Sequence, residues 1–276
     1  ALVAVVIMVV AGHMIWQDEI DGIGNISGML IGVYSGGTPN LAAIQEMLGV
    51  SEEIYILTHT SDLVIGAVLL LFLLTLGQRF FQLFLKPYRN HNKKDDEEYI
   101  QEMTREFESY DHIFQPAVFK PLLKAFGLAV VIVGIGGGIS FLFSENFQTV
   151  AAILFITTLG ILASLVPSVN RIRKTFPLGM YFILVFSVVV ASMADLGEMF
   201  GRGQSDILVS IFMYVLLAVV GSLFLHAIFS KIFGMDTDHF IITSVALSMS
   251  PPFVPVVAAA LKNKSLVLSG LILGII

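Results

Sequence analysis

Long apolar runs separated by short polar breaks organise the chain. Seven of them reach or approach the roughly 17–25 apolar residues that cross a bilayer as a helix: 1–16, 62–77, 125–143, 150–166, 178–195, 207–229 and 265–276. The first and last are short, as clipped spans would be. None alternates in polarity as a barrel strand does. Two further runs, 26–48 and 239–261, are apolar but interrupted. The first holds Ser35-Gly36-Gly37-Thr38-Pro39-Asn40 at its middle, the second Ser248-Met249-Ser250-Pro251-Pro252. Such pairs stop an α-helix, because Gly is entropically costly there and Pro removes a donor and clashes. Irregular backbone at membrane depth persists only where protein or a water-filled cavity satisfies it. The plainer alternative is a pair of kinked structural helices.

Stretch 78–124 is the one long polar segment. It carries Arg79, Lys86, Arg89, Lys93, Lys94, Arg105, Lys120 and Lys124 beside the acidic run Asp95-Asp96-Glu97-Glu98. It reads as a linker with an amphipathic helix near 97–110 and a solvated charged face. Lys and Arg mark the cytoplasmic side of a membrane protein, and the first 78 residues contain neither. With the linker inside, counting spans puts Lys231 inside. Lys262 and Lys264 return to that side if 239–261 is a re-entrant hairpin. The same logic places loops 17–24 and 49–61 outside if 26–48 is also a hairpin. The two hairpins then enter from opposite faces, and the order span, broken segment, span occurs twice in opposite orientation. That is the mark of an inverted repeat. The expected architecture is an all-α polytopic membrane protein of the inverted-repeat transporter type. Residues 1–77 form the later part of the first repeat, 78–124 a cytoplasmic linker and 125–276 the second repeat. Both ends read as incomplete, with further spans expected before residue 1.

Composition narrows the class. Of 276 residues, 56% are apolar and 13% charged, with a mean hydropathy of +0.88. Soluble domains carry about 25% charged residues. A net charge of −6 and the lack of a basic stripe speak against nucleic acid as a partner. There is no cysteine, which excludes disulfides, thiolate metal sites and Cys nucleophiles. No nucleotide-binding loop, HExxH or GxSxG occurs, so neither ATP coupling nor an enzyme is expected. The run Gly134-Ile135-Gly136-Gly137-Gly138 lies inside an apolar span and reads as a helix-packing surface.

Candidate chemistry sits at the breaks. In inverted-repeat carriers, substrate and ions bind at broken segments near the midplane. A helix starting after Gly36-Gly37-Thr38-Pro39 offers unpaired N–H groups and a partial positive charge, which suit a carboxylate. Pro39 fits an early helical position. The expected substrate site comprises Gly36, Gly37, Thr38, Pro39, Asn40, Ser248, Ser250, Pro251 and Pro252. Ionisable residues inside spans are functional candidates. Asp62 and Asp195, with Ser35 and Ser192, are the candidate ion ligands, as cation ligands or proton carriers. His13 and His226 lie in the spans that precede the hairpins, and packing is the plainer role for both. No Lys or Arg lies deep in a span, so an anionic substrate would depend on helix termini, hydroxyls and a co-bound cation. Neutral oxygen ligands of this kind fit a hard cation such as Na⁺, the expected coupling ion and sole cofactor.

The stretch 32–43, GVYSGGTPNLAA, the run Met193-Ala194-Asp195-Leu196, and Ser250-Pro251-Pro252 followed by Val256-Val257-Ala258-Ala259-Ala260 resemble the DUF819 family of bacterial and plastid membrane proteins. Members are longer, in keeping with missing spans. The family is similar in layout to the glutamate:sodium and citrate:sodium symporters, which have two re-entrant loops with Gly-rich tips. The resemblance implies that Gly36 and Gly37 form the first tip. At the second tip this chain has Ser250-Pro251-Pro252 where Gly-Gly-Pro is typical, and the arginine of citrate carriers has no counterpart. It further implies a homodimer in the bacterial inner membrane. The expected function is Na⁺-coupled symport of a small organic anion or amino acid. The rival readings are a non-transporting sensor or scaffold, and a channel or uniporter.

Overall fold

The computed structural model describes residues 1–88, 116–172, 205–249 and 253–263, with separate positions at 174–175, 177–179, 181–182, 185, 188–189, 266–267 and 269–270. All regular elements among them are helices. The chain forms two compact units, Ala1–Gln101 with Val189–Ile276, and Glu102–Val188.

The first unit opens with α1, Leu2–Trp16. After a polar turn, α2 runs over Ile23–Gly36 and α3 over Thr38–Leu48. Gly37 separates them, and Pro39 occupies the first turn of α3, where a missing N–H costs nothing. Gly49, at φ 63°, closes α3 in a left-handed cap: its N–H bonds to Glu46, and that of Val50 to Gln45. Along α2, Gly28, Gly32 and Gly36 recur every fourth residue. Added Cβ atoms there would press on Leu48, Ile44 and Asn40 in turn. The partner numbers fall as the glycine numbers rise, so α2 and α3 pack antiparallel along a stripe of missing side chains.

Helix α4 spans Glu52–Phe81, α-helical to Phe72 and continuing through a π-helical turn, Leu73–Gly77, into Gln78–Phe81. It starts ten residues before the apolar run at 62. Ser51 caps it, Glu52 and Glu53 suit its positive end, and the polar run Thr58-His59-Thr60-Ser61 does not interrupt it. The hydroxyls of Thr58 and Ser61 donate to the carbonyls four residues back, both at 2.8 Å, which lets them sit buried within the helix.

Helix α7 comprises Ser205–Leu216, a π-helical turn Leu217–Gly221 and Ser222–Ile232. (Helices α5, Pro116–Ser140, and α6, Glu145–Ser164, belong to the second unit.) It packs against α4 and α1. Gly12 lies under Tyr214 and Leu217, and Gly221 lies under Met8, so α1 and α7 are antiparallel. Helix α8, Thr237–Ser248, is capped by Asp236, whose carboxylate accepts the His239 N–H at 3.0 Å. Helix α9, Val254–Ala260, follows the second break. The interior is built from Val5, Val9, Ile26, Leu30, Ile211, Val215, Ile241, Val245, Val254 and Val257, all buried. In lipid, burying such groups against one another brings no gain from leaving water; close packing and hydrogen bonds hold the helices instead.

The start of the polar stretch 78–124 docks on α8. Gln78 Nε2 and Asn263 Nδ2 each donate to the buried Asp238 carboxylate at 2.9 Å. Thr237 donates through its N–H and hydroxyl to the Lys86 carbonyl, and Phe81 packs edge-on against Phe240.

In the second unit, α5 covers Pro116–Ser140 and α6 Glu145–Ser164. They form a tight pair, with Gly136 against the backbone of Ile156. Of the run Gly134–Gly138, it is Gly136 that makes the close approach; the other glycines there face open space. Helix α5 begins inside the stretch expected as linker. Residues 89–115, most of 178–195 and most of 265–276 lie outside the described residues.

Among the described residues, four helical stretches are long and apolar enough to cross a membrane: Glu52–Phe81, Val118–Ser140, Phe147–Ser164 and Ile207–Ile232, with Leu2–Trp16 a shorter apolar helix. Large apolar side chains point outward along them, Val68 and Leu71 each 64% exposed. These are the features of an integral membrane protein.

Candidate solute site at the two helix breaks

Gly37 ends α2 at φ 85° and ψ −174°, a region that L side chains rarely enter, and its N–H donates to the Val33 carbonyl at 2.7 Å. The chain can then reverse and begin α3 at once with Thr38. At the second break, α8 ends at Ser248 and Met249, and the next described residue is Phe253.

Both breaks face one cavity of about 280 Å³. Thr38 comes from the start of α3, Ser248 and Met249 from the end of α8, and Phe253 from beyond the second break. Helix α4 supplies the opposite wall through Asp62, Gly66 and Leu70, one helical stripe at four-residue spacing, flanked by Leu63 and Ala67. An added Cβ at Gly66 would meet nothing within 4 Å, so this residue keeps the wall open. Asp62 is half-buried, and the buried Tyr34 hydroxyl donates to its Oδ1 at 2.7 Å. It is the one ionisable side chain on the wall among the described residues. No group of three His, Cys, Asp or Glu able to hold a metal ion occurs among the described residues.

The structure thus brings together Thr38, Asp62 and Ser248. Gly36 and Gly37 shape the turn beside them. Ser35, Pro39 and Asn40 are exposed and do not line the cavity. The Ser35 hydroxyl donates to the Gly32 carbonyl at 3.1 Å, and the Asn40 amide lies over Gly36. Ser192, Asp195, Ser250, Pro251 and Pro252 lie outside the described residues. Sequence reasoning missed Tyr34, Gly66 and Phe253. A tyrosine two residues before a glycine break was the available signal for the first; the other two look like ordinary residues of apolar runs.

The two histidines occupy corresponding places. His13 Nδ1 lies 3.0 Å from Ser27 Oγ, and Ser27 donates to the carbonyl of Ile23. His226 Nδ1 lies 2.9 Å from Ser244 Oγ, and Ser244 donates to the carbonyl of Phe240. In both cases the helix preceding a break bonds to a serine on the helix that leads into that break, and that serine bonds four residues back. With the hydroxyl proton on the carbonyl, the imidazole must be the donor. Ser27 also lies 2.7 Å from the Tyr214 hydroxyl, where either can be the donor, and the Tyr214 oxygen lies 3.0 Å from the Val9 carbonyl.

Apolar helices of membrane-spanning length, with two interrupted segments that border one cavity beside the Asp62 carboxylate, define a helical membrane protein. Residues 1–276 match the family described as Protein of unknown function (DUF819), and the chain belongs to that family. No curated protein and no solved structure matches it.

Proposed function

We propose that the protein is a secondary active transporter in which two inverted halves carry a small organic solute across the membrane by alternating access. The observation that carries this reading is the shared cavity: Thr38 and Ser248, from breaks more than two hundred residues apart, face the same space as Asp62. Element lengths support it. The 11 residues of α3 and the 12 of α8 rise only about 16–18 Å, little more than half of a ≈ 30 Å hydrocarbon core. Helices of that length fit re-entrant arms better than spans. The antiparallel pairing of α1 with α7 and the recurrence of the His–Ser bond support inverted halves.

The coupling ion is Na⁺, taken by hydroxyl and carbonyl oxygens near the breaks. The last carbonyls of α2 have no intrahelical partner and suit a cation. By its resemblance to the sodium symporters the protein works as a homodimer in a bacterial inner membrane, with the polar stretch between α4 and α5 in the cytoplasm. Solute uptake into proteoliposomes, with and without an inward Na⁺ gradient, tests the reading. Uptake that follows the gradient is expected. Uptake indifferent to it would make the protein a channel or uniporter, and failure to move any solute would make it a sensor or scaffold.

A further inference from the structure

We infer that the solute held in this cavity carries a protonated amino group set against Asp62 and an apolar body against the remaining wall. The inference rests on the transporter reading and chooses between its two substrate classes. Charge comes first. Asp62 receives one hydrogen bond, from Tyr34 to Oδ1, and among the described residues nothing bonds its other oxygen. Among the described residues, no Lys, Arg or His shares the wall with it. A carboxylate inside a membrane protein is costly unless a cation completes it. A solute bearing only carboxylates would bring a like charge to this wall and meet repulsion.

The wall also discriminates among cations. Among the described residues its side-chain oxygens are those of Asp62, Thr38 and Ser248, three acceptor groups. An ammonium has three N–H donors and no acceptor, a direct match. The aromatic ring of Phe253 on the same wall suits an organic cation as well. The rest of the lining, Val33, Leu63, Ala67, Leu70 and Met249, offers no polar side chain. A bare alkali ion has no use for such a surface, whereas an alkyl or aryl body fills it. Apolar amino acids and simple aliphatic amines share this chemistry.

The test uses the purified full chain in detergent with three probes of one branched carbon skeleton: L-leucine, isopentylamine (no carboxylate) and isocaproate (no amine). Their effect on the melting temperature is read at millimolar concentration. Leucine and isopentylamine should raise it and isocaproate should not. Stabilisation by leucine with none by isopentylamine would narrow the class to amino acids and leave the amine assignment standing. Asp62→Asn keeps the shape and still accepts from Tyr34, so its unliganded melting temperature should match the parent. Its amine affinity should fall about 10- to 100-fold, as expected for losing a charge-assisted hydrogen bond. Should Asp62→Asn fail to fold, Ser248→Ala serves instead, with an expected loss of about 2- to 12-fold. Stabilisation by isocaproate equal to that by leucine overturns the proposal while leaving the cavity a solute site. An Asp62-dependent response to Na⁺ over choline with no amine effect also overturns it, and assigns Asp62 to the coupling ion. Absence of any amine effect overturns it too. The transport reading stands or falls separately, on gradient-driven uptake.

Discussion

Replacing Gly37 with alanine separates a binding tip from a mere kink. At φ 85° and ψ −174°, Gly37 occupies a region that is essentially closed to residues with a Cβ. Holding a non-glycine residue there costs about 1–3 kcal/mol. That is a large fraction of the 5–15 kcal/mol stability of a typical domain, yet small beside the full packing of the unit. The chain therefore relieves the strain by reorienting the turn, which shifts Thr38 and the start of α3 at the cavity wall. Gly49 provides the control. It also has positive φ, 63°, and an added Cβ there meets nothing within 4 Å, but it closes α3 at the end remote from the cavity. Gly49→Ala should cost about 1 kcal/mol for a left-handed residue with a Cβ and leave solute affinity untouched. Gly37→Ala should lower solute affinity and uptake at least tenfold, and Gly37→Leu should abolish both in a protein that still folds. Melting temperature and solute binding measured on the same purified variants decide the matter. If Gly37→Ala behaves like Gly49→Ala, losing stability but binding normally, the first break is a structural kink and the reasoning fails.

Gly32→Ala should destabilise the α2–α3 pair by about 1–3 kcal/mol through overpacking against Ile44, and Ile44→Ala should rescue it; two additive losses would refute the contact. His13→Phe and His226→Phe should each lower stability, by about 0.5–1.5 kcal/mol per lost bond. A loss at one site and none at the other would count against matched halves. Since the chain has no cysteine, Asn92→Cys introduces a single thiol; a membrane-impermeant reagent should reach it in inside-out vesicles and not in intact cells, and labelling in intact cells would reverse the topology.

Both breaks were legible because glycine and proline act locally: Gly37 stops α2 through its own backbone geometry. Thr38, Ser248 and Asp62 were nameable as polar residues in apolar surroundings. Thr38 and Ser248 were expected in one site from the matched breaks; that Asp62 borders the same cavity was not readable, since it depends on how α2, α4 and α8 pack. Polarity is also what misled. Ser35 and Asn40 look like ligands, yet one bonds back to its own helix and the other covers Gly36. The polar run Thr58–Ser61 looks like an end to a span but lies inside α4, with the hydroxyls of Thr58 and Ser61 satisfied within the helix. The four-residue spacing of Gly28, Gly32 and Gly36 could have been seen and marks the seam of the hairpin. The His–Ser pairs could not, because their spacing of 14 and 18 residues acquires meaning only once the helices fold back on each other. The π-helical turns of α4 and α7 leave no trace in the apolar pattern.

That glycine seam bears on how the protein enters the bilayer. Helix α3 holds Asn40, Gln45 and Glu46 in eleven residues, and a segment so short and polar has little tendency to partition into lipid by itself. Helix α2 is long enough to enter first, and its bare stripe lets α3 lie flat against it, covering the backbone that α3 would otherwise expose. The two arms thus need to integrate as one piece during synthesis. A bulky residue on the stripe would then be felt before any finished protein exists, as an arrested insertion intermediate cleared by quality control, and the loss would appear in yield from the membrane.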